Sequence, residues 1–152
     1  MIKYKEHEQS PFARAQHCSA FQYPFMFIFG GFSVVGQTND LWMFDLSTLS
    51  WSKLVSHDEK MSGRAQSSAT IWDNVLYIIG GVSIRQNSQM TFQEVGNEEL
   101  FSFDFSPLVE CKELKEQQLK KLDLSSLGVS IKSTILFFFE GKIFVYGCGK
   151  LK

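Results

Sequence analysis

The chain has 152 residues and a formal net charge of -1, enough length for one domain that buries roughly 70% of the surface its unfolded form exposes. That balance gives no electrostatic ground for a nucleic acid or an anionic membrane as partner, and no apolar run approaches the roughly 18 residues of a membrane span. Three unpatterned cysteines, Cys18, Cys111 and Cys148, and a first segment without the apolar core of a secretion signal set the expected compartment as reducing, cytosolic (cytoplasmic) or nuclear.

In residues 1–8, Ile2 and Tyr4 alternate with Lys3 and Lys5, the period of a strand covered on one face. Beyond them the chain is written to a template. Arg14 stands sixteen residues before Gly30-Gly31, which follow the apolar run Phe25-Met26-Phe27-Ile28-Phe29. The phrase Asp40-Leu41-Trp42-Met43-Phe44-Asp45 comes next, and Trp51-Ser52-Lys53-Leu54 closes the copy. Fifty residues on, Arg64 stands sixteen residues before Gly80-Gly81, with an Asp73-Asn74 turn leading into Val75-Leu76-Tyr77-Ile78-Ile79. The second acidic phrase, Glu99-Leu100-Phe101-Ser102-Phe103-Asp104, arrives nine residues late, so the stretch between Val82 and Glu98 is an expanded loop. Cys111-Lys112-Glu113-Leu114 is predicted as its closing strand, followed by a charged loop with some helix inside residues 108–127. A third copy begins at Ser133, runs through Ile135 to Phe139, turns at Glu140-Gly141, and continues through Ile143-Phe144-Val145-Tyr146 to Gly147-Cys148-Gly149.

Repetition at a fixed period of this size marks an array of one supersecondary unit. Short aromatic and β-branched runs between turn residues predict antiparallel strands joined as hairpins. A glycine pair after a buried run lets the chain leave the strand at positive φ and pass close to another backbone.

The arginine, double glycine, acidic-aromatic phrase and tryptophan together resemble the kelch repeat, over roughly residues 9 to 149. The resemblance implies an all-β fold: a partial kelch-type β-propeller of two four-stranded antiparallel blades plus an incomplete third. The expected units are an N-terminal strand or tail at 1–8, repeat one at 9–56, repeat two at 57–127 with its expanded loop at 82–98, and an incomplete repeat three at 128–152. Gly30, Gly31, Trp42, Trp51, Gly80, Gly81 and Gly147 would hold the repeat together. Three positions depart from the pattern: Cys111 in place of tryptophan, Gly147-Cys148 in place of two glycines, and Ile131 in place of arginine. The phrase Asn39-Asp40-Leu41-Trp42 looks more like the kelch repeats of scaffold and cell-polarity proteins than those of cullin-ligase adaptors. The chain shows no BTB-like or F-box-like segment, so an adaptor role is expected to need another chain.

Catalytic chemistry finds no constellation. His7, His17 and His57 have no neighbouring ligand at metal spacing, and Cys18 points away from His17 if both lie on a strand. Gly147-Cys148-Gly149-Lys150 lacks the full spacing of a phosphate loop, and no serine stands in a nucleophile elbow. Asp40, Asp45, Glu99 and Asp104 recur at equivalent places, which points to a structural duty served once per repeat. The lysines between Lys112 and Lys121 are diluted by Glu113 and Glu116 and read as a solvated face. No catalytic residue, metal or cofactor is predicted.

The repeated arginines admit two readings. Arg14 and Arg64 are two of only three arginines, and a rigid five-donor fork suits a bidentate contact that lysine would not reproduce. They pair with an acidic group or backbone carbonyl in their own or the next blade, or they lie near a partner-binding face shared with Arg85, Gln86, Asn87, Gln93 and Glu94 of the expanded loop. The expected function is a non-catalytic protein-interaction module, a scaffold or adaptor holding a protein partner through propeller loops. Alternatives are a fragment of a kelch-like enzyme such as a copper oxidase, or a shortened product without independent function. Because Phe137, Phe139, Phe144 and Tyr146 would be left partly bare by an open array, they need a cover. The expectation is a fragment of a longer propeller; the alternative is two chains pooling strands into one ring.

Overall fold

The computed structural model describes residues 10–55, 61–110, 119–122 and 134–147, whose regular structure is strand apart from one four-residue helix. A short strand β1 (Arg14–Ala15) precedes β2 (Cys18–Gln22) and β3 (Phe25–Phe29); β4 (Phe32–Ser33) and β5 (Gly36–Gln37) form a small hairpin; β6 (Leu41–Asp45) and β7 (Ser50–Val55) follow. The strands β2-β3-β6-β7 make one antiparallel four-stranded sheet in that order, the first blade, while β1 pairs with the β4–β5 hairpin above it.

The second copy repeats this plan. It comprises β8 (Ser68–Trp72), β9 (Val75–Ile79), the hairpin strands β10 (Val82–Gln86) and β11 (Phe92–Gly96), then β12 (Leu100–Asp104), a four-residue helix α1 (Ser106–Val109) and β13 (Lys120–Leu122). Its sheet runs β8-β9-β12-β13. Register proves the equivalence. Cys18 pairs with Phe29 as Ser68 pairs with Ile79, and Leu41 pairs with Phe29 as Leu100 pairs with Ile79. The third copy contributes β14 (Thr134–Phe139) and β15 (Lys142–Gly147), paired from Thr134↔Gly147 to Phe139↔Lys142. Turns at Asp73-Asn74 and Glu140-Gly141 have positive φ at both residues, the mirror-type turn that matches strand twist in a two-residue hairpin.

Side chains alternate across each strand, and this sorts the blade faces. Phe25 and Phe27 share one face with Ala20, and this face meets the second blade, where Phe105 lies 4.7 Å from the Phe27 ring and 6.3 Å from the Phe25 ring. Leu41, Leu76, Ile78, Phe101 and Phe103 complete a continuous buried core between the blades. Phe138 of β14 stacks on Trp72 at 4.6 Å on the opposite side of the second blade. Thus β8 lies between β2 and β14.

The strand paired with β12 at the edge of the second blade is Lys120–Leu122; Cys111–Leu114, where the sequence places the closing strand, lies outside the described residues. Pro107, in the first turn of α1, and the Asp104 carboxylate, which accepts the Ser106 N–H, turn the chain into a helix directly after β12 and lengthen its return. Counting on from Ser102↔Lys120 sets the buried Leu119 opposite Phe103, the place Trp51 takes opposite Phe44. The expected expanded loop is an ordered hairpin, β10–β11, an enlargement of β4–β5. The expectations for Ile2, Tyr4, His7, His57, Cys111, Ile131 and Cys148 lie outside the described residues.

Candidate interaction face and the arginine latches

Arg14 and Arg64 do the same work in their respective copies. The Arg14 guanidinium grips Asp40 in a two-pronged ion pair, Nη1 to Oδ1 at 2.7 Å and Nη2 to Oδ2 at 3.1 Å, and also donates to the Gly30 carbonyl and Thr38 Oγ1. Arg64 Nη2 donates to Glu99 Oε2 at 2.7 Å, with further bonds to the carbonyls of Gly80 and Ser62. Each fork therefore ties the double-glycine exit of the second strand to the acid that opens the third, a geometry an ammonium cannot span. Both arginine side chains are buried, so their guanidinium groups are engaged inside the fold rather than offered to a partner.

The copies differ in how the carboxylate is completed. Trp42 Nε1 donates to Asp40 Oδ2 at 2.6 Å. The equivalent residue, Phe101, has no N–H to give, and Lys121 Nζ supplies the missing donor to Glu99 Oε1 at 2.9 Å. Cations cover both rings: Lys53 lies 5.4 Å above Trp42 and Arg64 lies 5.2 Å above Phe101.

Burial raises the Asp40 carboxyl, but the bonds from Arg14, Trp42 and Thr38 outweigh it and hold the group below its ordinary 3.8. Glu99, raised by partial burial and lowered further by Arg64 and Lys121, sits below its ordinary 4.5. A carboxylate depressed in the folded state contributes stability that is present above its unfolded value and lost as pH falls through its folded value. Urea unfolding followed from neutral pH downward is expected to hold its midpoint to about pH 5 and to lose it steadily below about pH 4.5, with Asp40→Asn flattening part of that fall. A midpoint insensitive to pH in this window would dissociate both latches from stability.

Asp45 and Asp104 share another duty. Each accepts the backbone N–H two residues on, Ser47 and Ser106 respectively, and so caps the turn after the third strand.

The exposed side of the two hairpins forms the candidate site. The hairpin β10–β11 is fastened at its base, where Val82 and Ala65 exchange backbone hydrogen bonds and Asn97 Nδ2 donates to Gly81 O and Ser83 Oγ. It is also bolted to its smaller counterpart. Gln37 Nε2 donates to Val82 O at 3.0 Å while Gln37 Oε1 accepts the Ile84 N–H at 2.6 Å, so one side-chain amide fills the place of a strand neighbour along β10. Between the hairpins lies a cleft of about 370 Å³, with Phe32, Gln37, Ser62, Gly63 and Ile84 among its walls. Arg85, Gln86, Gln93 and Glu94 are exposed on the hairpin, and Asn87 is half-buried at its turn, where its Oδ1 accepts the N–H groups of Gln89 and Thr91. The sequence did not single out Ile84, Met90 and Phe92, which stand exposed beside them, or Val34 and Val35 at the tip of β4–β5. Gln37 was also missed, because an amide acting as a strand edge leaves no periodic signal.

Among the described residues, no group of three or more His, Cys, Asp or Glu is gathered closely enough to hold a metal ion. His17, which stands just before β2, is exposed, and Cys18, which opens β2, is buried. Burial pushes the Cys18 thiol up to about 12, which leaves it without thiolate character at neutral pH. No helix is long and apolar enough to cross a membrane among the described residues.

Repeated four-stranded antiparallel blades, each leaving its second strand through a glycine pair locked by a buried arginine, define a repeat-built β-propeller architecture. The chain belongs to the kelch-repeat family: the KLHDC2/KLHL20/DRC7 Kelch-repeats domain model matches residues 1–147. A curated relative, Tip elongation aberrant protein 3 of Schizosaccharomyces pombe, is 40% identical over 50 residues, covering 33% of this chain and 4% of that protein. The solved structure of YjhT superposes with a TM-score of 0.60 at 17% identity, over 90% of this chain and 34% of the YjhT chain, a likeness of fold. The chain thus spans a small part of the one and about a third of the other. Kelch-repeat domains are typically protein-interaction modules.

Proposed function

We propose that this chain is a non-catalytic module that holds a protein partner on the face formed by the hairpins β4–β5 and β10–β11. The observation that carries this reading is the enlargement of the second hairpin. The first copy makes the same connection with two-residue strands; the second spends five-residue strands on it and covers them with exposed Ile84, Met90 and Phe92 among Arg85, Gln93 and Glu94. An anchored base carrying exposed apolar and charged side chains suits recognition, because apolar anchors with a polar rim concentrate binding energy and the fastened base limits the ordering cost. Arg14 and Arg64 belong to the support of this face, and Arg85, Gln86, Asn87, Gln93 and Glu94 to its surface.

The test replaces residues 84–94 by the two-residue turn of the first copy, which keeps the base where Val82 and Ala65 exchange backbone hydrogen bonds and Asn97 holds Gly81 and Ser83. Wild type and the shortened variant are compared for co-purifying proteins from one lysate, with circular dichroism verifying that both fold. The expected result is a discrete protein retained by wild type and lost by the variant. Identical retained sets from two folded chains would overturn the reading.

A further inference from the structure

The strand β10 has two edges, and only one is filled along its length. Ser83 and Arg85 turn their backbone groups to β11, whereas those of Val82, Ile84 and Gln86 point the other way, toward the first copy. On that side Ala65 exchanges bonds with Val82, and the Gln37 side-chain amide spans Val82 O and the Ile84 N–H. There the line stops. The Ile84 carbonyl and both backbone groups of Gln86 meet no partner among the described residues.

Beside this open length lies the cleft between the two hairpins, whose walls come from the first and second copies. Phe32, Gly36 and Ile84 line it, and a Cβ built on Gly36 would meet nothing within 4 Å. The gap therefore has room for a further chain. Side chains alternate along β10, so Ile84 and Gln86 share one face and Arg85 takes the other. Arg85 is exposed and has no acidic partner among the described residues.

We infer that an extended segment of the protein partner adds to β10 as a third strand beside the β10–β11 hairpin, entering where the Gln37 amide leaves off. The inference rests on the proposed function and specifies what that partner presents. Gln37 already reads this edge with an amide, and a peptide backbone offers the same donor and acceptor at the next place along it. In antiparallel pairing one partner residue stands opposite Gln86 and exchanges both backbone bonds with it, and the residue two further on donates its N–H to Ile84 O. Side chains at these two places fall on the face of Ile84, beside the cleft, and are apolar. The residue between them falls beside Arg85 and is acidic, the cross-strand pair that the unpartnered guanidinium favours. The segment therefore reads apolar, acidic, apolar in an extended chain.

The probe is a capped, fluorescein-labelled nine-residue peptide of alternating threonine and valine, its central threonine replaced by glutamate, titrated with the full chain and read by fluorescence anisotropy. Saturable binding is expected. Methylating the backbone nitrogens of the two valines that flank the glutamate removes the donors to Gln86 O and Ile84 O and is expected to weaken binding by about tenfold. Lysine in place of the glutamate is expected to weaken it as much. On the protein, Gln86→Pro removes an N–H that no described residue accepts and is expected to have the same effect, because proline is tolerated where a strand's N–H faces outward at an edge. Circular dichroism checks that this variant folds; if it does not, the methylated peptide carries the same test on unaltered protein. A peptide that does not bind, or that binds equally well when methylated or when it carries lysine, would overturn the inference. The two readings fail separately. A lysate protein lost by the shortened variant but kept by folded Gln86→Pro would overturn strand addition and leave the proposed function standing. Identical lysate sets beside intact peptide binding would overturn the proposed function and leave the strand site.

Discussion

Arg64→Ala is expected to lower stability by about 3 kcal/mol, seen as a fall of roughly 9 °C in the thermal midpoint. The loss has three sources. The guanidinium is buried and lies over Phe101, so its removal leaves a void beneath the ring. The carbonyls of Gly80 and Ser62 lose a donor that no water readily replaces. Glu99 loses its inner partner and keeps only Lys121, which is largely exposed and holds it weakly. Arg64→Lys is expected to recover only part of the loss, because one ammonium cannot reach Glu99, Gly80 and Ser62 together. Full recovery by lysine, measured by thermal unfolding, would show that charge alone matters there.

Gly30→Ala is expected to cost about 3 kcal/mol, against about 1 kcal/mol for Gly36→Ala. Both glycines have positive φ, +64° and +97°, so both substitutions carry backbone strain. Their surroundings separate them. A Cβ at Gly30 would stand 2.6 Å from the Arg64 carbonyl oxygen and 3.3 Å from that of Thr38, whereas a Cβ at Gly36 meets nothing within 4 Å. The Arg64 peptide is the hinge pin between copies: Gly31 N–H donates to Arg64 O at 2.8 Å, and Arg64 N–H donates to Thr38 O at 3.0 Å. Relief of the overlap at Gly30 must therefore displace the second copy from the first. Equal losses for the two substitutions would remove the close approach as the reason for the double glycine.

The repeat and its strands were legible because they recur at fixed spacing, and a period is visible without coordinates; the spacing offered an acid or a backbone carbonyl as each arginine's partner without choosing between them. The sequence left open whether Arg14 and Arg64 turn inward or outward; burial against Asp40 and Glu99 decides it, and burial is a tertiary property. The strand Lys120–Leu122 at the edge of the second blade escaped because Trp51 has no aromatic counterpart there, and a count from the template cannot register the helix at Ser106–Val109. Lys121 looked like one lysine among several on a charged stretch. Its role follows from Phe101, whose missing ring N–H leaves Glu99 short of a donor. The hairpin β10–β11 appeared only as extra length, since Gln93, Glu94 and Val95 give no alternation strong enough to announce a strand.

That the two repeats form one continuous unit, pinned at the Arg64 peptide, is tested most directly by site-resolved hydrogen exchange on Gly30→Ala beside Gly36→Ala. In Gly30→Ala, protection is expected to fall together at Gly31, Arg64 and the amides of β9, while Gly36→Ala leaves these sites at wild-type protection. Loss confined to β3 and β6, with the amides of β9 unchanged, would contradict a shared unit and leave the two blades as independent sheets.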